Sequence, residues 1–197
     1  MAKERRIGIL GGTFNPVHRG HLHLAKHAAR KLKLDKIILV PANIPPHKKI
    51  EGNASPKDRV AMIRRAIKGN KSFSLSLFEI LKKKKSYSIA TLRHFNKTFG
   101  AKAKLFFIIG ADSVEGISKW KDIDNALRLA QFVVFSRSGY SQKKYPLGIE
   151  KVNMPKLNIS SSEIRRLIKK GKSIKKLVSP TVHKYLRNKR LYMCGGG

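Results

Sequence analysis

Short apolar runs alternate with stretches of helical period along this chain. Ile7, Ile9 and Leu10 stand between basic residues and Gly11-Gly12, so they read as a buried first strand ending at Gly11. Leu22, Ala25, Ala28, Ala29 and Leu32 then recur at helical spacing, which opens a helix at Gly20 or His21. Ile37-Ile38-Leu39-Val40, between Lys36 and Pro41, is a continuous apolar run of the kind buried on both faces of a parallel sheet. The prolines from Ala42 to Lys49 make a loop after it. Ser55-Pro56-Lys57-Asp58 carries a helix start, with Ser55 as N-cap, Pro56 at the first helical position and Asp58 closing a capping box. The apolar face is Val60, Ile63, Ala66 and Ile67, Gly69 ends the helix, and Asp58 is assigned a structural role. Phe73, Leu75 and Leu77 alternate with Ser74 and Ser76, the pattern of a half-buried strand nearer a sheet edge.

The second half repeats the pattern. Lys82 to Lys85 is a like-charge run that reads as a loop, after which Ser86 or Ser88 caps a helix faced by Ile89, Leu92, Phe95 and Phe99. Leu105 to Ile109 is a fully buried strand emptying into Gly110-Ala111-Asp112-Ser113. Asp122 caps a helix over Ile123, Ala126, Leu127 and Ala130, and Phe132 to Phe135 forms a fifth parallel strand. Ile164, Leu167 and Ile168 face a helix that begins among Ser160, Ser161 and Ser162, and Val182 and Leu186 pack a short last helix. Strands alternating with helices predict an α/β fold, a doubly wound Rossmann-like parallel sheet flanked by helices. We assign residues 1–191 to this single domain and 192–197 to a flexible end.

Two helix starts carry the candidate chemistry. A strand, a glycine turn and a helix set backbone N–H groups and the positive end of a helix dipole against an anion, and Gly11 to Gly20 has that form. His18 and His21, three residues apart, can point at one bound group and donate to phosphate oxygens whose charge grows in a transition state. The plain alternative makes His21 a helix cap and His18 a solvated loop residue. A metal reading is weaker, because no cysteine or carboxylate lies near enough in sequence to complete a zinc set. The serines before Ile164 repeat the anion logic, with Arg165 one turn on, although Ser with Glu163 downstream is also ordinary capping grammar. Asp112, at a strand's C-terminal end, fits a ribose hydroxyl acceptor, an N-cap, or both. Gly171-Lys172-Ser173 is not a P-loop, since Arg166 stands where the earlier glycine must be.

Composition narrows the class. With 197 residues and 41% hydrophobic content the chain supports one sizeable core. The net charge of +33, from 44 Lys+Arg against 11 Asp+Glu, attracts any polyanion and keeps nucleic-acid binding as a rival reading. Against it, the basic residues are spread over nearly every predicted helix and loop, and no RNA- or DNA-binding signature appears. The one cysteine, Cys194, excludes an internal disulfide and fits a reducing, cytoplasmic setting. No stretch approaches a membrane span, and the N-terminus enters a strand with no signal-peptide core, so a cytoplasmic protein with no membrane partner is expected.

The segment GGTFNPVHRGHL, Gly11 to Leu22, resembles the signature of Rossmann-like nucleotidyltransferases with an HxGH motif, and most closely that of the nicotinate (or nicotinamide) mononucleotide adenylyltransferases. ISSSEIR, Ile159 to Arg165, is similar to the ISSTxIR segment with which that family contacts ATP phosphates. The resemblance runs from Ile7 to about Leu191. It implies transfer of AMP from ATP to nicotinate mononucleotide in NAD biosynthesis, with Mg²⁺ accompanying ATP and pyrophosphate leaving. It also implies catalytic His18, His21 and Arg165, and an ATP site of Gly11, Gly12, Thr13, Phe14, His18, Gly20, His21, Arg137, Ile159, Ser160, Ser161 and Arg165.

The mononucleotide site it implies is Asn15, His47, Lys48, Tyr87, Ser88, Asp112 and Trp120. Lys49 is a substitute for its neighbour in a basic loop that could equally have no role, and Trp120 is either a stacking plate or a core wedge. Three positions depart from the family's pattern. Asn15 replaces a frequent Asp and is given positioning only, Ala90 replaces an acidic residue, and Ser138 replaces a proline. Transfer to another phosphorylated acceptor such as phosphopantetheine, a nucleic-acid binder and an adenylate sensor without chemistry remain as alternatives. Acid or amide preference and a homo-oligomer stay open.

Overall fold

The computed structural model describes residues 4–46, 49–110, 116–137, 148–155 and 157–193. Its frame is a six-stranded, all-parallel sheet of β1 (Arg5–Gly12), β2 (Lys36–Pro41), β3 (Phe73–Leu75), β4 (Ala103–Gly110), β5 (Gln131–Arg137) and β6 (Ile149–Met154). The order β3-β2-β1-β4-β5-β6 puts β1 at the centre. Parallel neighbours need crossover helices, and these cover both faces. Leu10, Leu39, Ile108 and Phe135 bury against α1 (Arg19–Lys31), α2 (Pro56–Ile67), α6 (Ser161–Lys169) and α7 (Pro180–Asn188). Ile9, Val40, Phe107 and Val134 bury against α4 (Ser88–Phe99) and α5 (Ile123–Leu129). The continuous apolar runs thus split by parity between two cores, as two-sided burial requires.

Between β1 and β4 the direction of winding reverses, and a crevice at the strands' C-terminal ends follows from that reversal. The glycine turn after β1 and Gly110 at the end of β4 both lie there. Ser55 caps α2 as expected: its hydroxyl accepts the Asp58 N–H at 3.1 Å while the Asp58 carboxylate accepts the Ser55 N–H at 2.9 Å. Asp58 also accepts from the Tyr185 hydroxyl at 2.8 Å, tying α2 to α7. Burial alone would raise this carboxyl, and the bonds from Ser55 and Tyr185 outweigh it and hold it below the usual value.

Five local expectations need correction. Helix α1 begins at Arg19, because the His18 N–H is satisfied by the His21 ring and His18 serves as N-cap. Leu77 lies outside the edge strand β3 and instead precedes a one-turn helix, α3 (Phe78–Lys82), whose five residues are too few to show a period. It takes Lys82 out of the like-charge loop. Neither Ser86 nor Ser88 caps α4; Tyr87 is the N-cap residue, and the Ser86 hydroxyl accepts the Asn43 N–H at 2.9 Å instead. Asp122 precedes α5 in a left-handed conformation, but its carboxylate accepts from the side chains of Arg93 at 2.7 Å and Asn125 at 2.6 Å, not from a backbone N–H of the helix. The sixth strand, β6, had no apolar run to mark it: only Ile149, Val152 and Met154 turn inward along this sheet edge. Among the described residues no helix is long and apolar enough to cross a membrane.

Candidate active site

Two cavities open at the C-terminal ends of β1 and β4, and they share Gly11, Gly12, Thr13 and Gly110. The first, of about 400 Å³, lies between the starts of α1 and α6. His18 is buried at 6% exposure, and its ring stacks on His21 with centroids 3.7 Å apart and planes 28° from parallel. The His18 N–H donates to Nδ1 of His21 at 3.2 Å. Gly20 makes this stack possible, because a Cβ there would lie 3.0 Å from Nδ1 of His18. Phe14, 1% exposed with φ +50°, meets His21 edge-on at 4.9 Å and fixes its outer side. The plain alternative needs correction on both counts: His18 is the N-cap and is buried, and His21 is the third helical residue; the same pair closes the helix end and lines the cavity.

Helix α6 arrives from the opposite wall. The Ser160 hydroxyl accepts the Glu163 N–H at 3.1 Å, and the Ser161 hydroxyl donates to the Pro16 carbonyl at 2.9 Å, which joins this helix start to the glycine turn. Arg165 donates to the Asn15 carbonyl at 2.8 Å and to the Glu51 carboxylate at 2.5 Å. That cation holds Glu51 below the usual carboxylate value. Ile159 is buried under the same helix start and lines the cavity with Lys49. Asn15 belongs on this side and does not line the second cavity: its Nδ2 donates to the Glu51 carbonyl at 2.7 Å and its Oδ1 accepts from the Tyr192 hydroxyl at 2.6 Å.

The second cavity, about 440 Å³, is lined by Tyr87, Ser88, Trp120, Phe107 and Glu79. Trp120 meets Phe107 edge-on at 6.3 Å, so it packs on the core and borders the cavity at once. The Lys121 ammonium sits 4.9 Å from the centre of the Tyr87 ring. His47, Lys48 and Asp112 lie outside the described residues, as does the side chain of Arg137, whose backbone ends β5.

Two buried ionisable groups had not been foreseen. Glu79 receives the Thr91 hydroxyl at 2.5 Å, and burial pushes its carboxyl up against the opposing bonds from Thr91 and Ser86. Arg59, wholly buried, donates to the carbonyls of Thr13 at 2.9 Å and Ala42 at 2.6 Å, and no carboxylate of the described residues pairs with it. Burial pushes this guanidinium down. Its one signal in the sequence was a charge in step with Met62, Ile63 and Ala66 on the apolar face of α2.

Comparison with known proteins agrees with this geometry. Residues 9–167 match the family model described as cytidylyltransferase-like. A protein of Clostridium tetani, named a probable nicotinate-nucleotide adenylyltransferase, is 40% identical over 199 residues, covering 95% of this chain and 99% of the relative. One of the same name from Clostridium botulinum is 41% identical, covering 95% and 98%. The fold is also that of the Plasmodium falciparum nicotinic acid mononucleotide adenylyltransferase complexed with NaAD, at TM-score 0.77 and 21% identity, covering 95% of this chain and 97% of that one. With these near full-length matches, the chain belongs to the cytidylyltransferase-like family and, within it, to the nicotinate-nucleotide adenylyltransferases.

Proposed function

We propose that this protein transfers AMP from ATP to nicotinate mononucleotide, forming nicotinate adenine dinucleotide and releasing pyrophosphate. The observation that carries the reading is the pair of cavities meeting at Gly11-Gly12-Thr13, one walled by two helix N-termini and two histidines, the other by aromatic rings. Triphosphate suits the first and a pyridine ring the second. A 5′-phosphate oxygen of the mononucleotide attacks the α-phosphorus of ATP in line. The new P–O bond forms as the bond to the β-phosphate oxygen breaks, and pyrophosphate takes that electron pair. The nucleophile is already anionic, so alignment and charge neutralisation do the catalytic work. His18 and His21 donate to the reacting phosphate, Ser160, Ser161 and Arg165 hold the outer phosphates, and Tyr87, Ser88 and Trp120 hold the acceptor.

Mg²⁺ is the divalent ion we assign to the reaction; bound to ATP, it neutralises phosphate charge. Among the described residues no group of three histidine, cysteine or acidic side chains could hold a metal. The test is pyrophosphate release from ATP and Mg²⁺ with nicotinate mononucleotide, nicotinamide mononucleotide or phosphopantetheine in parallel. Rapid release with the first alone is the expected result. Release with phosphopantetheine, or silence with all three, refutes the proposal.

A further inference from the structure

Tyr192, assigned above to a flexible end, instead packs against the first turn of the sheet. Tyr192 is 2% exposed, and its hydroxyl donates to Oδ1 of Asn15 at 2.6 Å across 177 residues. Burial pushes the phenol far above its ordinary value, so its proton stays on and the group is a donor. Its own N–H donates to Oδ1 of Asn53 at 2.8 Å. The ring lies against Gly52, where φ is +81° and an added Cβ would stand 2.7 Å from Cδ1 of Tyr192. Only glycine suits that position on both counts.

Asn15 needs both halves of its amide. Nδ2 gives a bond to the Glu51 carbonyl and Oδ1 takes one from Tyr192, partners of opposite polarity that an aspartate could not serve together. The carbonyl of the same residue receives Arg165, and the carbonyl two residues earlier, that of Thr13, receives buried Arg59. The turn between the two cavities is therefore held from beneath by a series of bonds whose outermost member is a tyrosine hydroxyl.

We propose that Tyr192 is a positioning residue for the phosphate cavity, fixing through Asn15 the distance between the glycine turn and Arg165. Tyr192 lines neither cavity. The inference rests on the proposed function for its turnover arm but has a second arm that does not.

The test compares the full-length wild type with Tyr192→Phe, Asn15→Ala and the double variant. ATP affinity is read by calorimetry, kcat by pyrophosphate release and folding by thermal unfolding. We expect Tyr192→Phe and Asn15→Ala each to cost about tenfold in ATP affinity and in kcat, and the double variant to fall within about twofold of Asn15→Ala. That non-additivity is a result a merely structural role would not give. Wild-type affinity and kcat in folded Tyr192→Phe, or losses that multiply, overturn the inference. If Tyr192→Phe does not fold, Asn53→Ala, which removes the acceptor of the Tyr192 N–H and keeps the phenol, decides: the same loss supports the inference, and wild-type affinity overturns it. A wild type that binds ATP but releases no pyrophosphate overturns the proposed function only, because the affinities still judge Tyr192. A wild type that does not bind ATP overturns both.

Discussion

The two cavities are built in different ways. The cavity proposed for the phosphates is made largely of helix starts: His18 and Ser160 are both N-cap residues, each with its near sequence neighbours beside it. The aromatic cavity is made of faces, with Phe107 from β4, Trp120 from the segment before α5, Tyr87 at the head of α4 and Glu79 from α3 brought together only by folding. A site assembled from backbone N–H groups is specified locally and tolerates little change. One assembled from side-chain surfaces is specified by tertiary packing and can be retuned one residue at a time.

Predictions that would break or sharpen this contrast differ in size. His21→Ala should lower turnover by about 10²–10³-fold, the loss typical of one donor to developing charge, while costing about 1 kcal/mol of stability as a lost capping partner. Denaturant unfolding alongside pyrophosphate release separates the two effects. Trp120→Ala should raise KM for the mononucleotide by about tenfold, in line with a stacking contact plus its buried area, and leave KM for ATP unchanged; a rise in both would mean the cavities are not separable. Ser160→Ala should cost about 1 kcal/mol, the value of an N-cap, and weaken ATP a few-fold with no change toward the mononucleotide.

The smallest effect is a pH dependence in the aromatic cavity. Burial raises the Glu79 carboxyl in the folded state, so the fold favours the protonated form. Its contribution is then full below the ordinary carboxylate value and is lost as pH rises through the raised one. The unfolding temperature of Glu79→Gln should lack this decline. Matching slopes in the two proteins would show that Glu79 stays ionised.

Much of the cavity proposed for the phosphates was legible in the residues themselves, because a histidine pair after a glycine turn and a serine run are local signals, although the cap fell to His18 and not His21. The strands β1, β2, β4 and β5 were legible for a related reason: burial on both faces leaves an unbroken apolar run. Edge position erased that mark from β6, where Glu150, Lys151 and Asn153 face outward. Helix α3 was too short to show a period. Arg59, Glu79 and Tyr192 owe their roles to elements distant in sequence, and no spacing rule connects residue 15 to residue 192. His47, Lys48 and Asp112 lie outside the described residues, so their part in the acceptor site remains a proposal.

The bond between Asn15 and Tyr192 also sets an order in time. A ribosome makes Asn15 well before its partner: the hydroxyl that donates to it is added 177 residues later. At the roughly 5–20 residues per second of synthesis, the nascent chain spends on the order of ten seconds or more without that bond. Until residue 192 emerges, Oδ1 of Asn15 lacks the hydroxyl that donates to it in the folded protein.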